Sequence, residues 1–296
     1  MSVTLSTVLG TYPHTVPLKD GTITDPSVTL KFTEVEPIYH AFTPMVRKQT
    51  YDISEVAIVT YLQAAGYNKL ITLLPIVVAS RLQRGCIVYY KPNGVVTPQD
   101  LLTKRIGVRA YTQTTGMWVR AALAEDFGLP IEKMHWVTQD PAHVAEYEDP
   151  PIVEHVAKDK NLIQMLKDGD IAACILGNDL PDDPDFAPVI PNHKQVDAAW
   201  QAKHHFMPTN HMVCAKNEAV AQHPEAVRTA YRMMRDADAL AKKNGTSSGR
   251  SLFGLAAVRE PLQIALDTCE QQLLLPRKLS ADELLAPAKA LLGDLA

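Results

Sequence analysis

The chain has 296 residues, 46% of them hydrophobic, enough to bury a substantial core in one large or two medium domains. Its formal net charge of -4 comes from 29 basic and 33 acidic residues interspersed along the sequence, with no basic block and no acidic tail, so neither nucleic acid nor a lipid surface is expected as a partner. No apolar run approaches the roughly 20 residues of a membrane span, and the opening MSVTLSTVLGTYPHTV has neither a basic n-region nor a continuous apolar stretch, from which a cytoplasmic location is expected.

Val3 to Leu9 alternates polar and apolar residues, and Val28 to Val35 repeats the pattern with β-branched side chains, so both are predicted strands. Thr11 to Pro26, with Gly21 and three prolines, is predicted loop. A helix over Ile38 to Thr50 follows, then strands at Val56 to Val59, Leu70 to Val78 and Cys86 to Tyr90. Beyond Thr97 come a capped helical turn, a strand at Arg105 to Val108, and a helix from Gly116 to Phe127 closed by Gly128 and Pro130. Met134 to Val137 and Ile171 to Leu176 read as strands, and Lys160 to Lys167 as a helix between them. Asn178 to Phe186, acidic and interrupted by prolines, reads as a surface loop that poorly fits a cation-binding loop. Met212 to Ala215 is a strand, Glu218 to Asn244 a long helix, and two amphipathic segments, Ser251 to Leu275 and Ala281 to Leu292, finish the chain.

Interleaved strands and helices define an α/β protein. The expected organisation is two lobes, residues 1–95 with 205–296 forming a discontinuous first lobe and 96–204 an inserted second, with a ligand cleft between them. The partly apolar C-terminal helices would cover the first lobe or make a homo-oligomer surface; periodicity does not choose. Cys86, Cys174, Cys214 and Cys269 lie in or beside apolar runs without a C-x-x-C pair and are expected as reduced core residues.

Five regions offer chemistry. Thr112-Gln-Thr-Thr-Gly opens a helix, where unpaired N–H groups and a partial positive charge suit an anion; a threonine is expected to cap the helix, and Thr114 and Thr115 are candidates to grip a carboxylate as well. Trp118, one turn in, would stack on an aromatic ligand or simply pack. Arg81, where a strand empties into a loop, matches a carboxylate in a bidentate fork, with Arg84 a weaker candidate. Ser54 and Glu55 precede a strand, and Glu55 would either exchange protons or cap a backbone turn. His14 and His211, the latter within Met207-Pro-Thr-Asn-His-Met-Val, are general acid or base candidates. His204 and His205, read as neighbours on a strand, would point apart and fail to chelate. H-E-x-x-H, G-x-G-x-x-G, the P-loop and G-x-S-x-G are all missing, so no metal, nucleotide cofactor or hydrolase triad is expected.

Taken in order, the opening strand with Tyr12-Pro-His-Thr15, Tyr51-Asp-Ile-Ser-Glu55, Ser80-Arg81 with Arg84, Lys104-Arg-Ile-Gly-Val, Thr114 through Arg120, and Pro208 to His211 resemble the 4,5-dihydroxyphthalate decarboxylase family. Members of that family are similar to type 2 periplasmic binding proteins. The resemblance spans roughly residues 3 to 215 and differs from the family's usual pattern at His14 and in Pro208-Thr-Asn-His211. It implies a two-lobed type 2 periplasmic-binding-protein-like fold and a cofactor-free carboxy-lyase acting on a small aromatic carboxylate. Under it, His211, His14 or Glu55 would give the proton. Arg81, Thr114, Thr115, Trp118, Ser54 and Asn210 would contact the substrate. The rival expectations are a decarboxylase of another hydroxylated aromatic acid and a solute-binding protein without chemistry.

Overall fold

The computed structural model describes residues 2–177 and 180–295. Asn178 and Asp179 of the predicted acidic loop therefore lie outside the described residues. The chain divides into two compact units: Met1–Arg81 with Thr209–Asp267 and Leu275–Ala296, and Leu82–Pro208 with Thr268–Leu274.

The first unit is built on a six-stranded mixed sheet. Its strands are β1 (Val3–Val8), β2 (Val28–Phe32), β3 (Ile53–Ala57) and β4 (Ile71–Ser80), joined from the far end of the chain by β11 (Thr209–Lys216) and β12 (Leu252–Phe253). The order is β12-β4-β11-β3-β1-β2, with β1 parallel to β2 and β3 and with β11 antiparallel to both β3 and β4. Central strands buried on both faces carry almost continuous apolar runs, as in the Ile-Thr-Leu-Leu-Pro-Ile-Val-Val of β4.

Helices cover both faces. Tyr231 and Met234 from α8 (Pro224–Lys243) and Ala288 from α10 (Ala281–Leu292) join Leu5, Ile53, Leu74 and Val213 in the principal core. In a separate cluster Phe42 of α2 (Phe42–Lys48) packs with Val8 and Ala57.

Several elements differ from expectation for identifiable reasons. The predicted loop Thr11 to Pro26 holds the one-turn helix α1 (Val16–Lys19), with Pro17 in its first turn, where a missing N–H costs nothing. The strand expected at Val56 to Val59 ends at Ala57, and α3 (Ile58–Gly66) begins at once. Eight of the nine α3 residues are buried, so its sequence lacks the polar face that marks a surface helix. The long helix expected from Glu218 divides into α7 (Asn217–Gln222) and α8 at His223-Pro224, where proline cannot donate to the preceding turn.

The second unit has its own sheet. Its strands are β5 (Ile87–Tyr90), β6 (Arg105–Val108), β7 (His135–Thr138), β8 (Val153–His155), β9 (Ala173–Ile175) and β10 (Phe186–Pro188), in the order β10-β5-β9-β6-β7-β8. The helices α4 (Thr114–Phe127), α5 (Leu162–Asp168) and α6 (His193–His204) belong to this unit. The four cysteines are all free and buried. His204 closes α6 and His205 follows in a left-handed conformation at φ 62, so this pair is a helix terminus and not part of a strand.

Candidate active site

In the first unit, β3 delivers Glu55 and β11 delivers His211. Glu55 lies opposite Val213 in the antiparallel ladder, which puts its side chain on the same face, and His211 is the next residue of β11 on that face. Such diagonal neighbours come within reach of each other when the side chains are long. Register shifts along β11 at Thr209, His211 and Met212 bend the strand locally, a device that re-aims a side chain. The His211 imidazole thereby places Nδ1 2.6 Å from Oε1 of Glu55.

Glu55 is wholly buried, yet its carboxylate is well supplied with donors. The Tyr12 hydroxyl donates to the same Oε1 at 2.6 Å, and the Gly10 N–H donates to Oε2 at 2.7 Å. Burial alone would raise the carboxyl pKa; the hydrogen bond and charge of His211, with the Tyr12 and Gly10 donors, outweigh it and hold Glu55 below the usual carboxylate range. A carboxylate only accepts, so Nδ1 of His211 carries the hydrogen they share, and Nε2 is the atom left for proton exchange. The His211 side chain is 21% exposed, and the Phe42 ring meets it edge-on at 5.1 Å.

The loop after β1 holds the remaining parts. Thr15 Oγ1 accepts from the Tyr12 N–H at 2.8 Å and donates to the Gly10 carbonyl at 2.6 Å, closing Gly10 to Thr15 on itself. His14 stacks on Tyr12 at 5.3 Å with the rings 10° from parallel. It is 3% exposed. Burial lowers its pKa against the opposing pull of Asp238 and Glu55, so the imidazole is held neutral. These groups sit past the carboxyl ends of the parallel strands β1 and β3, the end at which open α/β sheets bind ligands.

Glu55, His211 and His14 are thus brought to one end of one sheet. Ser54, the neighbouring residue on β3, faces the other side, and its hydroxyl donates to the Glu55 carbonyl at 2.8 Å. Asn210, buried, sits at the irregular start of β11, and Arg81, half-buried, directly follows the last residue of β4. Tyr12 and Gly10 were not singled out as functional from the sequence; the only signal was their place in the loop leaving β1.

The other predicted residues lie in the second unit. Thr114 and Thr115 are buried in the first turn of α4, but the N-cap is Gln113 and no side chain caps the helix. The expected threonine cap is therefore corrected: Thr114 and Thr115 already have helical backbone, and a capping residue must stand outside it. Trp118 is buried and meets Trp200 edge-on at 6.3 Å, a packing contact. Arg84 is committed to Asp126 at 2.7 Å and Asp197 at 3.0 Å.

A cavity of about 400 Å³ lies wholly in the second unit, lined by Tyr90, Asn93, Lys104, Arg105 and Asp170 among others, and contains none of the candidate residues. Among the described residues no group of three or more His, Cys, Asp or Glu side chains could hold a metal ion, and no helix is long and apolar enough to cross a membrane.

The α/β chain with its two sheets has a periplasmic-binding-protein-like fold. The periplasmic aliphatic sulphonate binding protein of Escherichia coli superposes with a TM-score of 0.56 over 96% of this chain and 100% of that one, at 11% identity. In sequence, a 4,5-dihydroxyphthalate decarboxylase of Pseudomonas putida is 31% identical over 184 residues, 58% of this chain and 69% of the relative. One of Comamonas testosteroni is 28% identical over 245 residues, 74% of this chain and 70% of the relative. No family model matches the chain. The chain belongs to the 4,5-dihydroxyphthalate decarboxylase family and is a carboxy-lyase by class.

Proposed function

We propose that the protein decarboxylates a hydroxylated phthalate, 4,5-dihydroxyphthalate in the first instance, to protocatechuate and CO2 by protonating the ring carbon that bears the departing carboxylate. The observation that carries this reading is the 2.6 Å contact between His211 Nδ1 and a fully buried Glu55 carboxylate. An imidazole oriented and charge-stabilised on one nitrogen is an acid on the other.

In the proposed reaction, the hydroxyl para to the leaving group pushes electron density to the ipso carbon, which takes the proton from Nε2 of the His211 imidazolium. The neutral His14 imidazole accepts the hydrogen of that hydroxyl, giving a dienone. The ring–carboxylate bond then breaks, its electron pair restores the aromatic ring, CO2 leaves, and His14 returns the phenolic hydrogen. His211 regains its proton from solvent, so the sum is one carboxylate and one proton converted to one ring C–H and one CO2. Glu55 stays ionised throughout and holds the imidazole in orientation.

Arg81 is proposed to hold the carboxylate that stays. Gripping the departing one equally well would stabilise the ground state and oppose its loss as neutral CO2. Asn210 is proposed as a supporting contact. The same groups would serve a related hydroxylated aromatic acid, which is the second outcome of the test.

The test is incubation with 4,5-dihydroxyphthalate in D2O, following protocatechuate and CO2. Protocatechuate with one deuterium at the vacated ring position is expected. Binding without turnover would overturn the reading, and turnover of only another hydroxylated acid would change the substrate while keeping the chemistry.

A further inference from the structure

We propose that Tyr12 is a positioning residue for the proton donor: by sharing Oε1 of Glu55 with His211, it weakens the carboxylate's hold on the imidazolium and sets the pH at which His211 releases its proton. This rests on the reading of His211 as that donor.

Two donors converge on one carboxylate oxygen, the Tyr12 hydroxyl and His211 Nδ1, each at 2.6 Å. The positive end of the phenolic O–H therefore lies beside the imidazole, where it opposes a positive charge on the ring. Burial and the neighbouring Glu55 push the Tyr12 pKa up, so the phenol keeps its hydrogen and remains a donor.

The loop is shaped for this contact. A Cβ on Gly10 would lie 2.6 Å from both Cζ and the hydroxyl oxygen of Tyr12, so only glycine lets the phenol fold back over residue 10 to reach Glu55. The same glycine donates its N–H to Oε2, leaving the carboxylate clasped on both oxygens by two residues of one loop. Thr15 fixes the loop through its two hydrogen bonds to Tyr12 N–H and the Gly10 carbonyl.

The ionisable groups on elements packed against His211 are Glu55 of β3, Tyr12 and His14 of the loop, Arg47 and Lys48 of α2, Tyr61 of α3 and Arg81 just beyond β4. Asp238 and Lys242 of α8 act through His14, and Glu36 through Tyr12. Tyr12 is the neutral donor among them that shares the acceptor atom of His211.

The Tyr12→Phe variant keeps the ring stacked on His14 and removes only the donor. The His211 imidazole is titrated by NMR in the full chain without substrate, its signal assigned by comparison with His211→Gln, and kcat and KM are measured against pH. The expected result is a His211 midpoint raised by about half to one pH unit, with the alkaline limb of kcat raised equally. The plateau kcat falls by roughly 3–10-fold because a weaker acid transfers its proton more slowly, while KM stays within about twofold.

A stronger phenolic donor, 3-fluorotyrosine placed at position 12 alone, should move the midpoint the other way, and it serves if Tyr12→Phe does not fold. An unmoved midpoint in a folded variant overturns the inference and leaves the proposed function standing. Full turnover by His211→Gln overturns the proposed function while the titration still reads the Tyr12 coupling.

Discussion

Glu55 in the first unit and Arg120 in the second are both fully buried charges, and they are satisfied in opposite ways. Glu55 is met by donors that include a titratable imidazole on a bent strand. Arg120 is met by fixed neutral acceptors, the Gln272 side-chain oxygen at 2.7 Å and the Tyr111 carbonyl at 2.8 Å, with its guanidinium 4.0 Å from the Tyr111 ring centre and 5.3 Å from that of Trp136. Its Nη1 is buried without a partner, and burial lowers its pKa. Both arrangements compensate a buried charge, but the first pairs it with an imidazole and the second with fixed neutral acceptors. On the proposed function, the first is a site that reacts and the second holds a core together.

The sharpest way to break this contrast is at His211. His211→Gln should lower kcat by about 10²–10⁴-fold with the fold intact by circular dichroism, since it removes the proposed acid. Glu55→Gln comes next: it keeps the shape and the acceptor oxygen but removes the charge that orients and stabilises the imidazolium. A loss of about 10²–10⁴-fold in kcat is expected, as for a carboxylate that orients a reacting imidazole, with a modest drop in thermal midpoint because the amide nitrogen cannot accept from the Gly10 N–H.

Arg120→Ala should reverse the pattern in stability. It orphans two buried acceptors at roughly 1–3 kcal/mol each and opens a cavity, so a clear drop in the denaturant midpoint is expected. A large stability loss in Glu55→Gln together with none in Arg120→Ala would invert the comparison.

The smallest effects concern pH. Glu55 is held below its ordinary 4.5 in the folded chain, so its contribution to stability is present above that value and lost as pH falls through the lower folded one. His14 is also depressed, from 6.5, so the folded state is progressively disfavoured as pH drops below about 6.5 and the unfolded chain takes up a proton. His14→Phe should flatten the change in urea midpoint between pH 7 and pH 5. A variant as pH-sensitive as the parent would show that His14 is protonated in the fold.

How much of this was readable beforehand varied by element. Arg105 to Val108 and the helix ending at Phe127 were legible because a β-branched run and a Gly-Leu-Pro stop are local signals. The α3 helix was not, because burial on all sides removes the polar stripe that distinguishes a helix from a strand. The α6 helix was hidden for the opposite reason, since only Asp197 and Trp200 are buried in it and its apolar periodicity is weak.

At the site, histidine and glutamate announced themselves by residue type. Their pairing did not, because it joins residues 156 positions apart through a β11 register that only the folded sheet determines. Tyr12 stands in the Tyr12-Pro-His-Thr15 motif, but its role is not legible there, since its hydroxyl gains one only when Gly10 lets the ring fold back onto Glu55.

The central claim, that His211 on its Glu55 support delivers the ring proton, is tested most directly by single-turnover decarboxylation of 4,5-dihydroxyphthalate in D2O with the parent chain and His211→Gln side by side. The account predicts singly deuterated protocatechuate from the parent and a rate at least about 10²-fold lower from the variant. Equal rates from the two proteins would contradict it.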